Sequence, residues 1–172
     1  GNNMENKIIR SETLKLRNLE INLEELRDFL VEAKRSCYAG NGNEQIAEDG
    51  SKLLTFQQGN FHYTDNYSGY YHAPGSEIVR WQSPRGQRIW QMSYSGGMQP
   101  SLCGDKDLAH KTFEFLKRAL SKITRENPFR GPEGESFDEG EFKYMAYTSP
   151  KGDIKRFRGN EWIAKGAIIF SQ

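Results

Sequence analysis

The sequence predicts an α+β domain in two layers, a mainly antiparallel sheet of about seven strands with two principal helices. Three observations predict it. Two stretches place apolar residues at helical spacing, and several short stretches alternate at period two between turn residues. Helix-period and strand-period stretches also succeed one another twice, in the same order.

Residues 1–21 are polar and weakly patterned, which predicts a flexible N-terminal segment with a short extended piece around Leu14 to Leu19. The folded domain is expected over 22–172. Asn22 followed by Glu25 has the spacing of a capping box. Behind it Leu26, Phe29, Leu30, Ala33 and Cys37 mark one buried face of a helix that Gly40 and Gly42 stop. A loop is expected up to Gly50.

Leu54 and Phe56 then alternate with polar neighbours, Gly59-Asn60 forms a hairpin turn, and Phe61, Tyr63, Asp65 and Tyr67 share a face of the returning strand. Glu77–Gln82 and Arg88–Tyr94 complete an antiparallel meander, joined by the turn Ser83-Pro84-Arg85-Gly86. Gly104 or Asp105 opens the second helix, whose stripe is Ala109, Thr112, Phe113, Leu116, Leu120 and Ile123, and Pro128 ends it. The acidic, Pro/Gly-rich stretch 127–140 predicts a mobile loop. Strands are expected at Phe142–Thr148, Asp153–Arg158 and Trp162–Phe170, the last two joined by a turn at Gly159-Asn160.

The two halves echo each other, giving pseudo-repeats over about 22–100 and 105–172. Phe61-His62-Tyr63 recurs as Phe142-Lys143-Tyr144, and Gly75-Ser76-Glu77-Ile78-Val79 as Gly159-Asn160-Glu161-Trp162-Ile163. Gly86 with Ile89-Trp90 recurs as Gly166 with Ile169-Phe170. The matches keep one order and nearly one offset. They predict two α-then-β units whose strands combine around one core.

Composition narrows the partners. The 24 basic and 23 acidic residues balance, so nothing global points to nucleic acid, and no apolar stretch approaches the roughly 20 residues of a spanning helix. The N-terminus lacks the apolar run of a signal peptide, and two isolated cysteines, Cys37 and Cys103, make neither a disulfide framework nor a metal site. A cytoplasmic protein is expected, with no cofactor, no metal and no membrane partner.

Several segments resemble a family of uncharacterised bacterial domains, the domain-of-unknown-function family 5680. The resemblance is carried by Phe29-Leu30, Ala33-Lys34 and Tyr38-Ala39, then by Tyr63-x-Asp65-x-Tyr67-x-Gly69, Gly75-x-Glu77-Ile78-Val79 and Ile89-Trp90-x-Met92-x-Tyr94. It continues through Arg130-Gly131-Pro132, Phe142-x-Tyr144, Gly152-Asp153, Phe157-x-Gly159-x-Glu161-x-Ile163 and Gly166. It covers roughly residue 29 to the C-terminus. It implies a bacterial origin and, through relatives fused to an Xre-type helix-turn-helix, a sensor or output role; it implies no activity and no site residues.

The richest chemistry lies between Phe61 and Trp81. Asp65, Tyr67 and Glu77 stand as candidates at the mouth of an aromatic pocket, with Tyr63, Trp81, Trp90 and Tyr94 as its walls. Alternatively, Asp65 and Glu77 satisfy tyrosine hydroxyls and backbone amides at strand junctions. His62, His72 and Asp65 could meet at a metal, although their spacing fits no established pattern. Lys151, Lys155, Arg156, Arg158 and Lys165, interleaved with Phe157 and Trp162, form either a phosphate-contacting surface or a solvated strand face. The reading these features favour is a non-catalytic domain that binds a small molecule or a protein through its aromatic face. The alternative is a hydrolase or lyase with Asp65 and Glu77 as acid–base carboxylates.

Overall fold

A computed structural model of the chain describes residues 12–38 and 44–172. The expected helix stop at Gly40 and Gly42, and residues 1–11 of the expected flexible segment, lie outside the described residues. From Thr13 onward that segment is not loose. Strands β1 (Thr13–Leu16) and β2 (Leu19–Asn22) form an antiparallel hairpin whose Ile21 is buried.

Helix α1 (Leu23–Tyr38) begins where the sequence places it, with Asn22 Oδ1 accepting the Glu25 amide at 3.1 Å. Two five-stranded antiparallel sheets follow, where the sequence predicts one sheet of about seven strands around one core. The first is the meander β3 (Glu44–Ile46), β4 (Lys52–Gln58), β5 (Phe61–Tyr67), β6 (Gly75–Trp81) and β7 (Arg88–Tyr94). The second comprises β8 (Gly97–Met98), β9 (Phe137–Glu139), β10 (Phe142–Ser149), β11 (Arg158–Lys165) and β12 (Ala167–Ser171), in the order β8-β12-β11-β10-β9. Between β8 and β9 the chain forms helix α2 (Lys106–Leu120), whose N-cap Asp105 accepts the Leu108 amide at 3.0 Å.

The echo in the sequence is a common ladder. In the first sheet Phe56, Tyr63, Val79 and Trp90 stand in one row across four strands; in the second, Phe137, Tyr144, Ile163 and Phe170 do. The ladder slips at the same place in both, after Val79 and after Ile163. Each helix covers its own sheet. Leu26, Leu30 and Ala33 of α1 share a core with Leu54, Tyr63, Val79 and Trp90, while Ala109, Phe115 and Leu116 of α2 share one with Tyr144, Ile163 and Phe170. Tyr38, at the end of α1, packs against both cores.

Three local expectations are corrected. Of the strand expected over 153–158, only Arg158 is in a strand, the first residue of β11, and residues 153–157 form a turn segment: Asp153 Oδ1 accepts the Lys155 amide at 3.0 Å, a local bond that competes with a ladder. Ile154 and Phe157 thereby reach the first core. Gly159-Asn160 lies inside β11, and the turn that follows falls at Gly166, which divides 162–170 into β11 and β12. Thirdly, the stretch 127–140 is a packed strap over 127–133, and largely exposed beyond it. Phe129 is fully buried, Asn127 nearly so, and its last part is strand β9. The average acidity of that stretch hides a Phe-Arg pair that belongs inside.

Candidate functional site

Where the two halves meet, the inner faces of both sheets carry charges. Tyr63, Asp65 and Glu77 point inward from β5 and β6, and Asp65 and Glu77 are direct cross-strand partners. Tyr144 and Glu161 hold the equivalent places on β10 and β11. Lys34 comes from α1 and Arg130 from the strap. All three carboxylates and Lys34 are at most 2% exposed, so each charge must find a partner inside.

Glu161 is saturated. Arg130 binds it through Nε at 3.0 and 3.1 Å and through Nη2 at 2.7 Å, the Tyr144 hydroxyl donates at 2.6 Å, and Gln172 Nε2 donates to it as well. Burial alone would raise this carboxyl, but the Arg130 charge and these bonds hold it below the usual range. Burial likewise works against the Arg130 cation; Glu161, together with Tyr38 and Tyr94, more than offsets it. Gly131 is required beside them, because a Cβ there would stand 2.4 Å from the Tyr144 ring, whose hydroxyl accepts the Gly131 amide at 2.9 Å.

Glu77 is held more loosely. Tyr63 donates to Oε1 at 2.5 Å and Lys34 Nζ lies 3.1 Å from the same oxygen. Oε2 has no hydrogen-bond partner among the described residues, Arg130 Nη1 standing 3.7 Å away. Lys34 also donates to the carbonyls of Pro128, at 3.4 Å, and Phe129. Burial lowers the Lys34 pKa, against the pull of Glu77.

Asp65 has no ion pair among the described residues. Tyr94 donates to its Oδ1 at 2.6 Å and Tyr38 to its Oδ2. Burial first, then the neighbouring Glu77, pushes its pKa up to about 6, against the two tyrosine bonds and Arg130. The Tyr94 ring lies under the Arg130 guanidinium at 4.5 Å and over Gly75, where a Cβ would meet it at 2.2 Å.

Two cavities open on either side of Arg130, Tyr94 and Gln172, which line both. The larger, about 720 Å³, is walled by Trp90 and Phe157, stacked at 6.1 Å, and rimmed by Lys155, Arg156 and Arg158. The smaller, about 250 Å³, lies against α2 and is lined by Asp65 with Tyr38, Tyr67, Tyr70 and Phe113.

Of the residues singled out in the sequence, Tyr63, Asp65, Glu77 and Tyr94 meet in the cluster. Trp90 sits in the larger cavity and donates to the Ile154 carbonyl at 3.1 Å; Tyr67 sits in the smaller and bonds Glu44 at 3.1 Å. Trp81 lines neither, packing edge-on against Phe61 at 5.9 Å. His62 lies on the sheet face opposite Asp65, bonded to Gln57 at 2.9 Å, so the His62/His72/Asp65 grouping does not form. No group of three or more His, Cys, Asp or Glu side chains that could hold a metal occurs among the described residues. Cys37 and Cys103 are both free, and burial pushes the Cys37 thiol up to about 12. No helix among the described residues is long and apolar enough to cross a membrane.

Lys34, Tyr38, Arg130, Tyr144 and Gln172 were missing from the sequence-based site. Tyr144 and Glu161 had a signal in the echo. Lys34 had one too, a lysine amid the apolar stripe of α1, next to Ala33.

Fold and site together define a two-sheet α+β domain whose halves repeat one helix-and-ladder unit around a buried ionic cluster. Residues 65–171 match the family described as Domain of unknown function (DUF5680), more than half of the chain, and the chain belongs to that family. No curated protein and no solved structure matches the chain.

Proposed function

We propose that the domain is a non-catalytic binding module that takes a small, planar, anionic molecule in the larger cavity. The observation that carries this reading is a mismatch of charge in the cavity wall. Both acids there are already engaged: Glu161 by Arg130, and Glu133 by the Thr148 amide and hydroxyl at 2.9 and 2.6 Å. Lys155, Arg156 and Arg158 are exposed and form no ion pair among the described residues. Beside them the Trp90–Phe157 pair offers flat apolar surface. About 720 Å³ falls within the usual range for small-molecule sites.

The competing reading is a hydrolase or lyase using Asp65 and Glu77, and the raised pKa of Asp65 favours it. Against it weigh the burial of both groups and their commitment to tyrosine hydroxyls and Lys34.

Isothermal titration with indole-3-acetate, benzoate and adenosine monophosphate, with neutral indole as control, tests the binding reading. At least one anion is expected to bind, and Arg156→Glu to weaken it about tenfold or more. Equal binding of indole, or no response to any anion, sinks the reading.

A further inference from the structure

We infer that the smaller cavity is a second, separate site, one that takes a small organic cation, an amine or a quaternary ammonium, with Asp65 as its counter-ion. The first support is the sum of buried charge. Lys34 and Arg130 face Asp65, Glu77 and Glu161, so the cluster holds one carboxylate more than it holds cations. Glu77 and Glu161 have the ion pairs; Asp65, 1% exposed, has none among the described residues. A buried carboxylate left in that state costs stability until a proton or a cation joins it.

The second support is the company Asp65 keeps in the wall of the smaller cavity. Tyr38, Tyr67, Tyr70, Tyr94 and Phe113 line the cavity together with two carboxylates, of which Glu114 is paired with Lys117 and Asp65 is not ion-paired among the described residues; five aromatic rings in one wall suit alkylammonium groups. The two tyrosine bonds use one site on each oxygen of Asp65, and a carboxylate has about four. An incoming N–H donor, or an N-methyl face, therefore needs no existing bond to break.

The cations that line the same cavity do not compete, because each already has an acid. Lys52 Nζ is 3.5 Å from Glu44, Lys117 Nζ is 3.7 Å from Glu114, and Arg130 is taken by Glu161. About 250 Å³ suits a molecule of choline size. The inference does not depend on the anion site, since cavity, probe charge and diagnostic residues all differ.

Titration of choline and tetramethylammonium into the full chain tests it, with 3,3-dimethylbutan-1-ol, the uncharged isostere of choline, as control. Both cations are expected to bind and to raise the thermal midpoint, and the alcohol at least tenfold more weakly. Asp65→Asn, folded by circular dichroism, is expected to lose at least tenfold in cation affinity. Should that variant not fold, Tyr70→Ala decides, since Tyr70 is half exposed at the rim; a loss of about fivefold is expected. Absence of binding by both cations, equal binding of the alcohol, or unchanged affinity in the deciding variant overturns the proposal.

Discussion

The Tyr144–Glu161 pair of the second sheet and the Tyr63–Glu77 pair of the first stand in the same register, yet they are stabilised in different ways. Glu161 is gripped by a bidentate arginine, a tyrosine and a glutamine amide; Glu77 has a tyrosine and a lysine on one oxygen and, among the described residues, no hydrogen bond on the other. The strap explains the asymmetry. It passes between the halves once, and its single arginine points its fork at Glu161, leaving only a 3.7 Å approach to Glu77. Asp65 adds to the imbalance, because its counterpart in the second ladder is Ala146: Asp65 faces Glu77 as Ala146 faces Glu161. Two ladders in matching register thus carry one closed ionic node and one with charge to spare. Of that open node, Asp65 lines the smaller cavity.

The largest effect should come from the closed node. Glu161→Ala strands a buried guanidinium and is expected to cost about 3–5 kcal/mol in urea unfolding, whereas Glu77→Ala should cost about 2, because Lys34 keeps two carbonyl partners. Equal losses would break the comparison.

Next comes pH. An acid whose folded pKa is raised binds its proton more tightly folded than unfolded, so stability falls as pH rises from about 4 through about 6. That contribution, of the order of 3 kcal/mol, is present at low pH and lost above the folded pKa. Unfolding across pH 4–7 should show the fall in the wild type and a flatter profile in Asp65→Asn. Parallel profiles would remove Asp65 as the spare charge.

Third, Tyr144→Phe loses two hydrogen bonds and Tyr63→Phe one, so costs of about 2 and about 1 kcal/mol are expected by denaturant titration. The reverse order would mean that the ladders are not equivalent. The smallest effect concerns the helix starts. Asn22→Ala and Asp105→Ala each remove one capping acceptor and should cost about 1 kcal/mol alike. A marked difference would show that one helix is held by its sheet alone.

Much of the fold was legible because local patterns write it. Asn22 and Asp105 cap helices through their own side chains, and the period-two rows through Tyr63 and Trp90 need only alternation. The site was half legible. Asp65 and Glu77 stand out as carboxylates on inward faces, and the echo joins Glu77 to Glu161. Arg130 was hidden by acidic neighbours in 127–140, and Trp81 misled because membership of a buried face does not say which end of the sheet a residue occupies.

The sequence by itself determined the α+β class, the two helices with their caps, and a helix-to-ladder order that repeats. Periodicity and capping act between residues within a few positions of each other, so they survive in a linear reading. Only the tertiary structure decided that the strands divide into two sheets, that the strap runs inside, and that Glu161 rather than Glu77 receives the arginine. Those outcomes depend on contacts between residues tens of positions apart, where burial forces each charge to a partner that no local pattern names.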